Sequence, residues 1–369
     1  MSSALLALAL LATAQESVRC DRFGIEPTFY DEKTLDAVAD AGVGWISVRL
    51  GWGDDAASAE AAIAGAAERK LSVWCTLAAR ESADAAGFTA WVRETVAKHP
   101  SVRHWSIERH VGLVPGAKME LLRAARTAMR EANEDARFVV GVSASEAGVR
   151  ALKPLLADGL QDVADVVAYI AFTSEAESSL KAAREAFDEA GRDPEAWVMM
   201  SAVASGGKNS TKSQASAFLQ GACAYLRHDR DIKRLFWYPL QDGKNDPDQP
   251  ETTQHDQKGG LIAESGTRRP VFDAIKRTAA KLDDGESLEY VEAYGAAGVT
   301  VYRVEHAGGG RTFWAWAPTT STKRSQLVLP YPQETTITDV KGETTKAAEH
   351  EKGRLIDLFN EPVMIEIPE

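Results

Sequence analysis

Cysteine is scarce in this sequence of 369 residues, which contains only Cys20, Cys75 and Cys223. Three widely spaced cysteines without a Cys-x-x-Cys pair provide neither a disulfide framework nor a zinc-type ligand set. The sequence also lacks a Gly-x-Gly-x-x-Gly motif opening its first helix, which removes the main reason to expect a dinucleotide. We therefore predict no metal site and no cofactor.

Positive charge is in the minority, because 42 Lys and Arg stand against 54 Asp and Glu and give a net charge of -12. A surface with this average sign repels nucleic acids and anionic membranes, which excludes both as expected partners. Neutral ligands remain compatible with it. Oligosaccharides, polysaccharides and other proteins are therefore not excluded as partners.

Long apolar runs are missing as well. The apolar run from Ala4 to Ala14 is shorter than the roughly 20 residues that span a bilayer, so we predict no membrane span. It ends in the small-x-small pattern Ala12-Thr13-Ala14, which is typical of a signal-peptide cleavage site. Residues 1–14 are thus predicted to be a signal peptide of a secreted or periplasmic protein. The alternative is a buried N-terminal helix.

Short apolar, β-branched runs alternate with longer alanine-rich amphipathic stretches over residues 20–280. This pattern is typical of βα units around a parallel sheet, and eight such units close more naturally into a (β/α)8 TIM barrel than into an open sheet. The predicted strands are Phe23–Ile25, Trp45–Leu50, Ser72–Thr76, His104–Glu108, Phe138–Val142, Val166–Ala171, Trp197–Ala202 and Leu235–Leu240.

The pattern changes after Lys281 to short alternating strands separated by turn residues, which predicts a small all-β sandwich over residues 287–369. The fold class is therefore α/β, a TIM barrel followed by a sandwich. The predicted sandwich strands are Val299–Val304, Thr312–Ala317, Gln326–Leu329, Thr335–Val340 and Pro362–Ile367.

Several motifs, in order, resemble glycoside hydrolase clan A. The eighth strand of that clan is similar to Phe236-Trp237-Tyr238 and the segment that continues to Asp242. Its last helix is similar to the helix start Arg269-Pro270, which follows Gly259-Gly260-Leu261 here. The predicted second strand ends in Arg49, where the clan places an arginine. The resemblance covers nearly the whole chain beyond the signal peptide, and it implies a retaining-glycosidase scaffold with a C-terminal sandwich.

The same resemblance implies two catalytic glutamates, at the ends of strands 4 and 7, and neither is visible. The fourth strand continues as Glu108-Arg109-His110, which aligns His110 with the acid/base glutamate. The seventh strand aligns Met200 with the nucleophile. A thioether cannot replace the carboxylate that traps the anomeric carbon, so activity by this mechanism is not expected.

Candidate site residues follow the strand ends, and each also has an ordinary structural explanation. Glu108 becomes a possible acid if the strand-4 register slips by two residues, or it pairs with a nearby arginine. Trp237 either stacks on a sugar or packs in the core. The catalytic candidates are Glu108, His110 and Asp242, and the ligand-binding candidates are Arg49, Trp52, Glu108, His110, Trp237 and Tyr238. Weaker candidates are Glu146 and Glu175.

Three functions are compatible with these observations. The first is a catalytically degenerate glycoside-hydrolase-like protein that binds carbohydrate or protein at the barrel mouth. The second is an active hydrolase with a rebuilt site that uses Glu108 and another loop carboxylate such as Asp242. The third is a structural module of a secreted assembly, which predicts a large apolar patch away from the mouth.

Overall fold

The computed structural model describes residues 19–53, 56–78, 85–107, 117–171, 176–201, 211–227, 232–242, 259–283, 288–295, 298–318 and 324–369. Its first part is a closed barrel of eight strands, each parallel to its neighbours. The first and eighth strands pair Phe23 with Leu235, which closes the ring. The barrel strands are β1 (Cys20–Ile25), β2 (Val43–Gly51), β3 (Ser72–Ala78), β4 (His104–Ile107), β5 (Arg137–Ser143), β6 (Val166–Ala171), β7 (Glu195–Ser201) and β8 (Ile232–Tyr238).

Amphipathic helices connect these strands and cover the outside of the barrel. Asp31 begins the first of them by accepting a hydrogen bond from the Thr34 amide, as N-cap residues do. The helices are α1 (Glu32–Asp40), α2 (Ala57–Glu68), α3 (Ala85–Lys98), α4 (Ala117–Ala132), α5 (Glu146–Ala157), α6 (Leu160–Val163), α7 (Ala176–Glu189), α8 (Thr211–Leu226) and α9 (Pro270–Asp283).

Alternation along each strand separates an inner and an outer apolar layer. The inner layer contains the rings of Trp45, Trp74, Trp197 and Phe236, whose centroids lie 5.0 Å apart for Trp74 and Phe236 and 5.3 Å apart for Trp45 and Trp197. Gly24 faces the same interior, because a Cβ atom there would collide with the Phe236 ring. Four large rings therefore fill the barrel and leave no pore.

A group of charged side chains closes the amino-terminal end of the barrel. Arg234 of β8 contacts Asp21 of β1 at 2.8 Å and Glu195 of β7 at 2.5 Å, and Arg137 of β5 contacts Glu195 at 2.7 Å. The Arg234 guanidinium also lies 4.3 Å from the centre of the Trp45 ring. We call Asp21, Arg137, Glu195 and Arg234 the closing cluster.

The closing cluster shifts the pKa values of groups around it. Burial alone would raise the pKa of Glu195, but hydrogen bonds from Trp197 and Arg137 hold it below its usual value. Burial lowers the pKa of His104 to about 4, and the charges of Arg137 and Arg234 act in the same direction. His104 is therefore neutral at physiological pH.

The second part of the chain forms two antiparallel sheets. A six-stranded sheet has the order β14-β13-β17-β11-β10-β9, and a three-stranded sheet has the order β12-β16-β15. The elements are β9 (Glu289–Tyr290), α10 (Glu292–Gly295), β10 (Thr300–Glu305), β11 (Arg311–Trp316), β12 (Ser325–Leu329), β13 (Thr336–Thr338), β14 (Thr344–Lys346), β15 (Ala348–His350), β16 (Gly353–Leu358) and β17 (Val363–Ile367).

Alternation along β11 explains how this second part meets the barrel. Phe313 and Ala315 belong to the core between the two sheets, whereas Trp314 and Trp316 belong to the same core as the outer barrel layer. An ion pair between Lys281 of α9 and Glu366 of β17, at 2.5 Å, adds to this contact. The six-stranded sheet thus packs against the barrel with one face and against the small sheet with the other.

The fold class predicted from the sequence is confirmed, since a closed parallel barrel is followed by antiparallel sheets. Each of the eight predicted barrel strands overlaps an observed one. The predicted strands omitted the six-residue β16 and the short strands β9, β14 and β15. Strands of two or three residues contain too few positions for an alternation to be recognised.

Candidate functional site

The mouth of the barrel, at the carboxyl ends of the strands, is where TIM-barrel proteins place their active sites. The described residues on the inner side of this end include Glu26, Arg49 and Tyr238, which follow or end β1, β2 and β8. Several segments that follow other strands here lie outside the described residues: 79–84, 108–116, 172–175, 202–210 and 243–258. The described part of the mouth is therefore centred on β1, β2 and β8.

A cavity of about 260 Å³ opens at this part of the mouth. Among the described residues of its wall, several side chains carry hydroxyl groups, and Arg49 is the one that carries a formal charge. The polar side chains lining the cavity are Thr28, Tyr30, Arg49, Ser58 and Tyr238. We call this space the mouth cavity.

Hydrogen bonds fix the wall of the mouth cavity that follows β1. Thr28 donates through its hydroxyl to the Gln241 backbone oxygen, at 3.0 Å, and through its amide to the Gln241 side chain, at 3.2 Å. Gln241 in turn donates to the Thr34 hydroxyl at 2.7 Å. The loop between β1 and α1 is thus tied to the segment after β8, which organises the cavity before any ligand arrives.

Tyr30 links this loop to β2. Its hydroxyl oxygen accepts a hydrogen bond of 2.7 Å from the Arg49 amide, which leaves the hydroxyl proton available for a second partner. Burial raises the pKa of Tyr30 to about 12, so the group stays protonated at physiological pH. Tyr30 is therefore a hydrogen-bond donor on the wall of the mouth cavity.

Arg49 and Tyr238 are the two ligand-binding candidates that border the mouth cavity. The Arg49 side chain is exposed, and no described residue forms an ion pair with its guanidinium. Tyr238 is half-buried beside the inner aromatic layer. The structure brings these two candidates together.

Glu26 is a mouth residue that the sequence reasoning missed. It is 2% exposed and lies two positions after Gly24, on the inner side of β1 by alternation. Its backbone extends the pairing with β8, because its amide donates to the Trp237 carbonyl at 2.9 Å. An acidic residue directly after an apolar strand was the available signal. A carboxylate buried at this end of a barrel is a functional candidate.

Asp242 is not available as a catalytic group in this arrangement. Both of its carboxylate oxygens accept hydrogen bonds from the Arg269 guanidinium at 2.6 Å, and Oδ1 also accepts the Gly260 amide at 3.0 Å. The pair is almost fully buried. Asp242 therefore fixes the segment after β8 to the start of α9, which explains why the Asp242, Gly260 and Arg269-Pro270 motifs occur together.

Trp237 also differs from its prediction as a ligand-binding residue. It is 3% exposed and lies on the outer side of β8, where its ring centroid is 5.6 Å from that of Phe218 in α8. Neighbouring strand residues face opposite sides, so Tyr238 faces inward and Trp237 faces the helices. Of the two explanations given for Trp237, packing in the core fits this position and stacking on a sugar does not.

The same alternation corrects the alignment of Met200 with a nucleophile. Met199 belongs to the inner layer, whereas Met200 belongs to the outer layer, next to Gly221 of α8. Met200 therefore does not face the mouth. Met199 is the inward-facing neighbour of Met200 near the end of β7.

Trp52 packs beside α3 and does not line the mouth cavity. Its ring is stacked with that of Trp91 at 6.5 Å and lies 5.9 Å from that of Phe88. Glu146 begins α5 and pairs with Arg150 on the surface, at 2.6 Å. The remaining candidates, Glu108, His110 and Glu175, lie outside the described residues.

Metal-ligating groups and membrane-spanning helices are absent from the described residues. In these ranges no group of three or more His, Cys, Asp or Glu side chains is arranged to hold a metal ion. Within the same ranges, no helix has the length and apolar character to cross a membrane. The three cysteine thiols are buried and free, and burial raises the pKa of Cys20 to about 12, so this thiol is unreactive.

Comparison with known proteins defines the fold class further. The sequence matches no protein-family model and no curated protein sequence. Solved structures do match. A family 39 glycoside hydrolase from Bacteroides cellulosilyticus has a TM-score of 0.77 at 15% identity, over 95% of this chain and 82% of that one.

Two further structures match along almost their whole length. A family 39 β-xylosidase from Caulobacter crescentus has a TM-score of 0.65 at 12% identity, over 95% of this chain and 97% of that one. A family 51 α-L-arabinofuranosidase from Bifidobacterium longum has a TM-score of 0.65 at 13% identity, over 95% and 96%. The fold is that of the clan A glycoside hydrolases, as the motifs predicted.

Proposed function

We propose that this protein is a catalytically degenerate member of the glycoside-hydrolase scaffold, which binds carbohydrate at the barrel mouth. The observation that supports this proposal concerns β7, and it holds whichever register is assigned to that strand. No aspartate or glutamate occurs between Glu195 and Asp229. Glu195 itself is held in the closing cluster at the opposite end of the barrel. The strand that should supply the nucleophile thus offers no carboxylate to the mouth.

The mouth cavity supports retained binding. Sugars are bound through hydroxyl groups and aromatic faces, and Tyr30 and Tyr238 supply both. The loop contacts of Thr28 and Gln241 keep this wall organised. The glycoside hydrolase structures with the same fold act on sugars, which makes carbohydrate the first ligand class to test.

Export is part of this proposal. The apolar run from Ala4 to Ala14 and the small-x-small pattern after it are typical of a signal peptide. Mass spectrometry of the protein from its native host should then find a mature chain that begins near Gln15. Finding residues 1–14 intact would contradict export by this route.

The experiment combines turnover and binding. Wild-type protein should not hydrolyse activated aryl glycosides, since such substrates reduce the need for an acid but not for a nucleophile. It should bind members of a glycan array, and Tyr238→Ala should weaken that binding at least tenfold. Tyr290→Ala removes another exposed tyrosine ring, from β9 in the sandwich, and should leave binding unchanged. Absence of glycan binding by the wild type would refute the proposal.

A second function is favoured by one specific observation, the buried carboxylate of Glu26 on the inner side of β1. In this alternative the protein is an active hydrolase with a rebuilt site, in which Glu26 takes the part first considered for Asp242 and acts with Glu108. Clear turnover by the wild type that is abolished in both Glu26→Gln and Glu108→Gln would favour it over the degenerate scaffold.

The third alternative, a structural module, has less support. The large exposed apolar side chains among the described residues are Phe29, Tyr290 and Phe359. They belong to the loop before α1, to β9 and to the segment after β16. A protein-contact role would instead require a contiguous apolar patch.

A further inference from the structure

We propose that the mouth cavity recognises an acidic sugar, with the Arg49 guanidinium binding the carboxylate of a uronic acid residue. This inference rests on the proposed carbohydrate-binding function and specifies the class of its ligand. It starts from the charge balance of the cavity wall. Of the lining residues within the described ranges, Arg49 carries the formal charge, and the other polar side chains there are hydroxyls.

The central observation is that no described acidic side chain pairs with the Arg49 guanidinium. Many other arginines in the described ranges contact a carboxylate, including Arg69, Arg137, Arg234 and Arg269. The Arg49 guanidinium has no such partner among the described residues, although the protein as a whole carries an excess of acids. A planar guanidinium matches a carboxylate in a bidentate geometry, and this pairing is stronger than a hydrogen bond between neutral groups.

The neighbouring hydroxyls fit a sugar that carries such a carboxylate. The Tyr30 oxygen already accepts the Arg49 amide, so its proton can be donated to a ligand oxygen. Tyr238 and Ser58 add further hydroxyls to the same wall. A sugar ring that bears hydroxyls and one carboxylate can thus contact both the guanidinium and the hydroxyl groups of the wall within a cavity of about 260 Å³.

The backbone around Arg49 holds it in position. Its amide is bonded to Tyr30 at 2.7 Å, and β2 pairs Arg49 with Thr76 of β3 inside the barrel sheet. The guanidinium is therefore carried by a rigid strand end, although the side chain itself is exposed. Little backbone ordering is needed on binding, so the charge can contribute to affinity.

The test compares matched sugars that differ in the carboxylate. The probes are D-glucuronate against D-glucose and D-galacturonate against D-galactose, titrated into the full chain at low ionic strength and followed by ligand-observed NMR. We expect the wild type to bind at least one uronate about tenfold more tightly than its neutral counterpart, as a charge-assisted contact implies. The preference should decrease with added salt, because the Arg49 side chain is exposed.

Two variants assign the preference to Arg49. Arg49→Gln should remove the tenfold preference for the uronate over its neutral counterpart, and Arg49→Lys should keep part of it. The control is Arg192→Gln, which makes the same charge change beyond α7, where Arg192 pairs with Asp162. Equal thermal midpoints of the variants would establish that each one folds.

The outcomes separate this inference from the proposed function. Equal binding of acidic and neutral sugars by the wild type would refute the inference and leave carbohydrate binding intact. A preference that survives in Arg49→Gln would also refute it. Binding of none of the four sugars, together with a negative glycan array, would refute both.

Discussion

Replacing Asp242 by Asn removes the negative charge from a buried pair and leaves the positive charge of Arg269 in place. The two side chains are 8% and 11% exposed, and both Nη–Oδ distances are 2.6 Å. Removal of one partner from a buried ion pair costs about 3–5 kcal/mol, because the remaining charge is left without compensation. The asparagine oxygen can still accept the Gly260 amide, so we expect the lower end of this range, about 3 kcal/mol.

Urea unfolding followed by circular dichroism measures this loss. The control is Asp40→Asn, which removes the same charge from the pairs that Asp40 forms with Arg268 and Lys276. These three side chains are 40%, 46% and 47% exposed, and exposed pairs contribute about 0–1 kcal/mol. The comparison therefore contrasts a buried aspartate with an exposed one, since both substitutions remove one negative charge that faces cationic side chains.

The result also discriminates between a structural and a catalytic Asp242. A loss below about 1 kcal/mol, equal to that of Asp40→Asn, would refute the reasoning about burial. Sugar binding by the folded fraction of Asp242→Asn should equal that of the wild type. If the variant instead kept its stability and lost a measurable turnover, Asp242 would return as a catalytic candidate.

Two other substitutions test the packing of the barrel. His104 has a pKa of about 4 in the folded protein, below the usual 6.5, so protonation favours the unfolded chain and stability falls as the pH drops from about 6.5 toward 4. Between pH 7 and pH 5, the free energy of unfolding measured in urea should fall by about 2 kcal/mol more for the wild type than for His104→Gln. An identical pH dependence of the two proteins would contradict this. Gly221→Ala should stabilise the wild type by clearly less than about 1 kcal/mol, because the gain in helix propensity is offset where the new methyl group displaces the flexible end of Met200. In a Met200→Ala background the same change should stabilise by about 1 kcal/mol through helix propensity, and equal effects in the two backgrounds would place Met200 elsewhere.

The barrel was predictable because its signal is repeated. Eight apolar runs separated by amphipathic stretches define strands and helices without knowledge of any contact. The side that a residue faces was harder to predict, since a shift of one position exchanges the two sides. Met199 and Met200 differ in this way, and so do Trp237 and Tyr238.

Long-range partners were beyond the sequence for a different reason. Asp242 and Arg269 are 27 residues apart, and nothing local indicates that one would bind the other. The sequence of a loop that contains a carboxylate does not differ between a carboxylate that faces a ligand and one that faces a guanidinium. The buried Glu26 was missed because an acidic residue directly after an apolar strand looks the same in sequence whether it is buried at the mouth or exposed in a loop.

The closing cluster has a consequence for how this protein can change over evolutionary time. Its charges join β1, β5, β7 and β8 at one end of the barrel, opposite to the end that carries the mouth cavity. Substitutions in the mouth therefore leave these contacts intact. Such a division lets the binding surface diversify without loss of the barrel, and it makes the loops at the mouth suitable positions for grafting new recognition sequences.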